Sequence, residues 1–196
     1  MGAYTNFVQD FPNRCDDLLT AFTSDAIEIE REVTLLLAVA NPCLIFPYER
    51  LCKDKHPSHD RQKFIEAKKT LDAELRKECG KSCLWSSFSA NDWRYKKLDK
   101  LSDDFGELGL DRETKPITSK KVQDTLTNLR NALAHGNIWT IGNPIETLVF
   151  VSLVSLNQPK GPFNTLQCSP KIFLHFIKNW IDFLRHLSIP TDAFVH

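Results

Sequence analysis

The sequence has no long apolar run and no surplus of charge. No stretch of about 18 apolar residues occurs, so we expect no membrane span. The first fifteen residues lack the apolar core of a secretion signal, which predicts a cytoplasmic protein whose six cysteines are reduced thiols. Lys and Arg total 25, and Asp and Glu total 25. This balance argues against a protein that holds nucleic acid mainly by bulk charge.

Motifs that mark several common enzyme classes are also missing. The chain has no Gly-rich phosphate loop, no Gly-x-Ser-x-Gly and no His-Glu-x-x-His. These absences weigh against nucleotide hydrolysis, serine hydrolysis and zinc proteolysis. The pairs Asp16-Asp17 and Asp103-Asp104 make no metal site alone, because neighbouring residues on a helix diverge by about 100°. We expect no cofactor.

Two weaker patterns remain as alternatives. A zinc cluster is conceivable at Cys52, His56, His59, Cys79 and Cys83, but their spacings match no standard zinc finger. Buried thiols and surface histidines are the simpler interpretation of that pattern.

The second pattern is a basic patch with aromatic residues beside it. Lys96, Lys97 and Lys100 lie near Trp93 and Tyr95, a combination that single-stranded RNA can use. A solvated helix face explains the same residues without any ligand.

The residues that are present predict a packed, mainly α-helical domain. Apolar residues make up 42% of the chain, with 13 Phe and 4 Trp, enough for a core. A length of 196 residues fits one domain over 1–196. We expect a helical bundle with a small β-hairpin or meander inserted at 138–168, before the last helix.

Apolar spacing and capping residues place the elements along the chain. One helix is expected to begin at Ser24 and to end at Pro42, and another at Thr118 with its end at Gly136. Further helices are predicted over 58–79, 95–108 and 171–187, and strands over 138–141, 147–156 and 163–167.

Three polar residues near the end of the helix after Thr118 carry the candidate chemistry. Asn131 and His135 are four residues apart and share a helix face. Arg130 is five residues from His135, about 140° around an ideal helix. Two such helices packed across a two-fold axis would bring more Arg and His groups into a shared cleft. A histidine can transfer protons near neutral pH, and an arginine presents a fork that matches phosphate oxygens.

The string Leu129-Arg130-Asn131-Ala132-Leu133-Ala134-His135-Gly136-Asn137 resembles the signature of the HEPN superfamily, which is Arg, a polar residue, three to five residues, then His. The upstream segment from Ser24 into the bend at 46–51 is similar to stand-alone HEPN nucleases of bacterial plasmids. The resemblance covers roughly 117–137, and more loosely 24–51. It implies a helical bundle that dimerises through its motif helices and cleaves RNA without a metal. Many members are toxins or antiviral effectors.

We therefore expect an endoribonuclease in which Arg130, Asn131 and His135 are catalytic. Asn137 and Lys121 are expected to contact the RNA. An antitoxin or other regulatory protein is a possible partner. The alternative is a non-catalytic HEPN scaffold that binds nucleotide, RNA or a protein with the same residues.

Overall fold

The computed structural model describes residues 7–52, 64–85, 87–99, 114–154 and 161–189. They form two compact units: 1–75 together with 176–196, and 76–175. The last helix contributes residues to both units. The expectation of a single domain over 1–196 stays a prediction.

Helices dominate the described residues, and a small sheet accompanies them, as the mainly α prediction requires. The helices are α1 (Phe7–Glu28), α2 (Glu32–Cys52), α3 (Ile65–Leu75), α4 (Ser87–Asp92), α5 (Val122–Ala134) and α6 (Pro170–Arg185). The strands are β1 (Arg94–Leu98), β2 (Lys115–Pro116), β3 (Ile138–Ile141), β4 (Thr147–Leu153) and β5 (Phe163–Cys168).

The first unit is built on a hairpin of α1 and α2. The expectation that a helix begins at Ser24 was wrong, because α1 continues through Ser24 to Glu28. Its end comes at Glu30, which adopts a left-handed backbone conformation with φ of 56°. The N–H of Arg31 closes that turn by donating to the Ala26 carbonyl over 2.7 Å.

Pro42 does not end α2, in contrast to the expectation from sequence. The helix continues through Pro42 and Pro47 to Cys52. A proline inside a helix costs about 3 kcal/mol or more. Ala40 and Leu44, on either side of Pro42, are fully buried, and this packing outweighs the local preference.

Helix α2 is also long and apolar enough to cross a membrane, judged by length and composition alone. In the structure, 39% of its most apolar window is buried. A buried core helix of a soluble protein passes the same test. The expectation of no membrane span stays a prediction.

The end of α6 is tied to α1 and α2 within the first unit. Trp180 is fully buried, and its indole N–H donates to the Cys43 carbonyl over 3.1 Å. The side-chain amide of Gln9 donates to the Leu187 carbonyl over 2.8 Å. The predicted helix over 171–187 is therefore confirmed as α6, with slightly earlier bounds.

The second unit is built on an antiparallel five-stranded sheet in the order β2-β1-β5-β4-β3. The strands predicted over 138–141, 147–156 and 163–167 are confirmed as β3, β4 and β5, although residues 155 and 156 lie outside the described part. They are not a separate insertion, because β1 pairs with β5 along its whole length. Strands from before and after α5 therefore share one sheet.

The predicted helix over 95–108 was wrong at its start, since Arg94–Leu98 is strand β1, and 100–108 lie outside the described residues. Leu98 is opposite Phe163 in β5, and it packs in an apolar cluster with Val149 and Val151. Pairing with β5, which is distant in sequence, made this segment a strand, as often happens where the local preference for helix or strand is weak.

The helix predicted over 58–79 is confirmed only in part. Its described portion is α3, which ends at Leu75, and residues 53–63 lie outside the described part. Cys79 instead begins a short 3-10 turn.

Aromatic rings fill the core of the second unit. The indole of Trp93 is fully buried. It lies edge-on to Trp85 with ring centres 6.2 Å apart, and stacks on Phe150 at 6.1 Å. Phe173, on the part of α6 that belongs to this unit, completes the cluster. These large side chains bury apolar area that would otherwise contact water.

Candidate active site at the end of helix α5

Helix α5 is anchored by one apolar face, as its sequence predicts. The predicted stripe is buried at every position: Val122, Leu126, Leu129 and Leu133. Thr118, the expected first cap, lies in a 3-10 turn, and Lys121 stands at the start of α5 instead. Its side chain makes no cap hydrogen bond. Arg130 and Asn131 are half-buried beside this anchored stripe.

The end of α5 is a Schellman turn built on Gly136. The N–H of Gly136 donates to the Leu133 carbonyl over 3.3 Å, and the N–H of Asn137 donates to the Ala132 carbonyl over 2.8 Å. Gly136 has φ of +66°, which a glycine adopts without strain. The predicted helix stop at Gly136 is confirmed. His135 is therefore the C-cap residue that follows α5, and it is exposed, with φ −103° and ψ 2°.

Asn137 joins the end of α5 to the sheet. Its carbonyl accepts a hydrogen bond from the N–H of Val151 in β4 over 3.0 Å. The turn that carries His135 is thus held on one side by α5 and on the other by a central strand.

Asn131 connects the other two motif residues. Its side-chain Oδ1 accepts a hydrogen bond from Arg130 Nη1 over 2.7 Å. Its main-chain carbonyl accepts from the N–H of His135 over 3.1 Å. The side-chain bond is charge-assisted and limits the positions that the guanidinium can take.

Arg130 and His135 of the same chain line one cavity of about 510 Å³. The other lining residues are Asn131, Asn137, Ser152, Leu153 and Val154. The angle of about 140° between positions five apart holds for an ideal helix. His135 leaves ideal helix geometry, so that angle alone does not require a second copy of the chain.

Lys121 is the predicted site residue that the structure leaves apart from the others. It lies nine residues before Arg130, about 13 Å along the helix at ~1.5 Å per residue. Its ammonium donates to the Arg76 carbonyl over 3.1 Å. Lys121 lines neither of the two cavities beside α5.

A second cavity of about 350 Å³ lies along the same helix. It shares Asn131, Leu153 and Val154 with the first. Its wall includes polar residues that the sequence analysis did not single out, above all Asn128 and Asn164. Asn128 could have been found from its spacing, since it lies one turn before Asn131. Asn164 lies in β5, and no spacing in the sequence indicates that it would lie beside Asn128.

The described residues give no support to the zinc cluster or to a cysteine nucleophile. No group of three or more His, Cys, Asp or Glu is placed to hold a metal in that part of the chain, and His56 and His59 lie outside it. Burial raises the pKa of the Cys79 thiol to about 11, and also raises that of Cys168. Neither thiol is therefore an activated nucleophile near neutral pH.

The basic patch beside Trp93 does not offer two stacking rings. Trp93 is fully buried, so it cannot stack on a base. The Tyr95 ring holds the ammonium of Lys120, which lies 3.6 Å from the ring centre. Lys100 lies outside the described residues.

Comparison with known proteins agrees with the resemblance carried by the motif. The profile of the HEPN pEK499 p136 family matches residues 1–188. No curated protein and no solved structure gives a significant match. Because the match covers nearly the whole chain, this protein belongs to the HEPN pEK499 p136 family, within the HEPN superfamily.

Proposed function

We propose that this protein is an endoribonuclease that needs no metal ion, with Arg130, Asn131 and His135 as its catalytic group. The observation that carries the proposal is the cavity at the end of α5, which all three side chains line. Membership of the HEPN superfamily supports it, because HEPN domains are often ribonucleases.

The proposed reaction is an attack of the RNA on itself. A base removes the proton of the 2′-hydroxyl, O2′ bonds to the adjacent phosphorus, and the bond from phosphorus to O5′ breaks. O5′ takes up a proton, so the products are a 2′,3′-cyclic phosphate and a 5′-hydroxyl. Atoms and charge balance without water, metal or oxidant.

The motif residues match the three requirements of this reaction, which are removal of the 2′-hydroxyl proton, stabilisation of charge on the phosphate and protonation of O5′. His135 is exposed in the cavity and acts as the general base or acid, a role typically worth about 10²–10⁴ in rate. Arg130 binds the phosphate and stabilises the charge that builds on its oxygens. Asn131 holds Arg130 through the bond to Nη1. Asn137 lines the same cavity and contacts the RNA beside the scissile phosphate.

We further propose that the enzyme works as a cytoplasmic homodimer whose motif helices face each other, and that it serves as a toxin or antiviral effector. An antitoxin or other regulatory protein would then restrain it. In such a dimer, each cavity would supply one Arg and one His to a common cleft.

The test is cleavage of single-stranded RNA in excess EDTA by the wild type, Arg130→Ala and His135→Ala. His175→Ala and Arg76→Ala are matched controls, because both residues are exposed and line neither cavity. We expect cleavage in EDTA by the wild type and both controls, and a loss of at least about 10²-fold in each motif variant. Loss of wild-type activity in EDTA, or normal cleavage by both motif variants, contradicts the mechanism. RNA binding without any cleavage would instead support the non-catalytic scaffold.

A further inference from the structure

The two cavities beside α5 share part of their walls. Both are lined by Asn131, Leu153 and Val154. The second, which we call the α5 groove, is the cavity of about 350 Å³ lined in addition by Tyr95, Lys120, Gln123, Asp124, Thr125, Thr127, Asn128, Asn164 and Leu166. A molecule bound at Arg130 and His135 therefore has a neighbouring space to enter.

One side of the groove is a single face of α5. Asn131, Asn128, Thr127 and Asp124 recur at intervals of three and four residues, which places them in one row. From Asn131 to Asp124 the row covers about 10 Å at ~1.5 Å per residue. The groove thus leads away from the motif along the helix.

A chain of hydrogen bonds fixes the central amide of this row. The Tyr95 hydroxyl donates to Asn164 Oδ1 over 2.9 Å, and Asn164 Nδ2 donates to Asn128 Oδ1 over 3.3 Å. Ser152 Oγ also donates to Asn128 Oδ1, over 2.7 Å. With Oδ1 accepting twice, the donating Nδ2 of Asn128 is the part left for a ligand, among the groups that the structure describes.

The charges of the groove favour an uncharged part of a ligand. Its wall has one cation, Lys120, and one anion, Asp124, so it carries no net formal charge. The Lys120 ammonium lies over the Tyr95 ring. Its wall also includes two half-buried amides, Asn128 and Asn164. Amide side chains recognise base edges by hydrogen bonding, whereas phosphates are bound mainly by cations.

We infer that the α5 groove binds the nucleobase next to the scissile phosphate, with Asn128 Nδ2 donating to an acceptor on the edge of that base. The inference rests on the proposed ribonuclease function, because the motif fixes where the phosphate lies. A volume of about 350 Å³ is at the lower end of small-ligand pockets, which run from about 300 to 1,000 Å³. Asn128 is thus a specificity residue for the cleavage reaction.

Asn128→Asp is the variant that isolates the donor. The carboxylate keeps an oxygen for Ser152 and Asn164 and replaces the donating nitrogen with an acceptor. Asn143→Asp is the matched control, because it makes the same change in shape and charge at an exposed turn that lines neither cavity. Thermal melting checks that both variants fold. If Asn128→Asp does not fold, Gln123→Trp takes its place, because a large side chain at this exposed lining position would fill the groove and should likewise abolish the effect of the missing base.

The experiment pairs these variants with RNA that lacks one base. After the cleaved bond in a single-stranded RNA is mapped, an abasic nucleotide replaces each of the two flanking nucleotides in turn. We expect one of these substitutions to lower kcat/KM for the wild type and Asn143→Asp by about 10- to 100-fold. Asn128→Asp should cleave the intact and the abasic RNA at equal, reduced rates. If Asn128→Asp and removal of the base lower kcat/KM independently, so that their fold-losses multiply when combined, the inference is overturned.

The same comparison separates failure of the inference from failure of the proposed function. If the wild type cleaves no RNA, the ribonuclease proposal fails, and the comparison is repeated as a binding measurement on a short single-stranded RNA, either intact or with an abasic nucleotide at each position in turn. A loss of affinity on removal of one base, absent in Asn128→Asp, then supports the groove as a base-binding site. Equal affinities of each protein for both RNAs overturn it.

Discussion

Arg130 Nη1 donates a hydrogen bond to Asn131 Oδ1, 2.7 Å away, between residues adjacent in the chain. The side chain of Asn131 therefore positions the guanidinium of Arg130 and not the imidazole of His135. Its main-chain carbonyl also accepts the N–H of His135. Asn131 thus connects Arg130, the proposed phosphate-binding group, to the turn that carries His135, the proposed proton-transfer group.

This relationship predicts a positioning role for Asn131. In Asn131→Ala the guanidinium loses this hydrogen bond, and we expect kcat to fall by about 10- to 100-fold, with a smaller change in KM. Asn131→Asp keeps an acceptor for Arg130 and should recover part of the loss. Steady-state kinetics on a defined RNA measure both effects. Equal activity of Asn131→Ala and the wild type would show that the bond does not matter for the reaction.

Gly136→Ala should be mildly destabilising. A Cβ at this position would meet nothing within 4 Å, so the penalty comes from the backbone alone, at φ of +66°. The left-handed conformation costs about 1–2 kcal/mol for a residue with a Cβ. Urea unfolding should show a loss of that size, and Gly136→Asn should lose less. A loss above about 4 kcal/mol would mean that the turn does more than end the helix.

Thiol labelling should distinguish Cys83 from Cys79. Cys83 is exposed, whereas Cys79 is fully buried and its thiol contacts the Thr125 hydroxyl at 3.3 Å. Burial raises the pKa of Cys79 to about 11. Because only the thiolate reacts, Cys79 should be labelled slowly at pH 8, and faster once pH approaches its pKa or the protein unfolds. Mass spectrometry of the labelled peptides measures the order, and labelling of Cys79 before Cys83 contradicts it.

Mixing two inactive variants tests the proposed common cleft. Arg130→Ala and His135→Ala each remove one group, and a mixed dimer would hold one intact Arg and one intact His from different chains. We expect the mixture to cleave RNA faster than either variant alone after subunit exchange. No recovery, although mixed dimers are shown to form, would mean that each cavity uses only the Arg and His of its own chain.

Local patterns predicted helix α5 and its end better than they predicted the fold around them. The apolar stripe on α5, the stop at Gly136 and the strands that follow depend on residues close in sequence. Strand β1 was read as a helix because its pairing with β5 joins residues about 70 positions apart, such as Tyr95 and Leu166. The hydrogen bond between the Asn164 and Asn128 amides also joins residues far apart in sequence, 36 positions, so no local pattern predicted it.

The first helices were misplaced for a different reason. Ser24 and Pro42 are good signals for the start and the end of a helix, yet α1 passes Ser24 and α2 passes Pro42. The break falls at Glu30, a residue type that rarely adopts positive φ. Full burial of Ala40 and Leu44 carries α2 past Pro42, and a local signal does not contain that information. Around Ser24, by contrast, α1 is largely exposed apart from Ala26, so burial does not account for its continuation there.

A 2′-deoxy substitution in the RNA tests whether the 2′-hydroxyl is the nucleophile in this reaction. The wild type is given a single-stranded RNA in EDTA, and the same RNA with a 2′-deoxy nucleotide at the mapped cleavage position. Attack by the 2′-hydroxyl predicts cleavage of the first RNA to a cyclic phosphate and none of the second at that bond, with His135→Ala cleaving neither. Cleavage of the deoxy-substituted bond by the wild type would show that the 2′-hydroxyl is not the nucleophile and that the proposed mechanism is wrong.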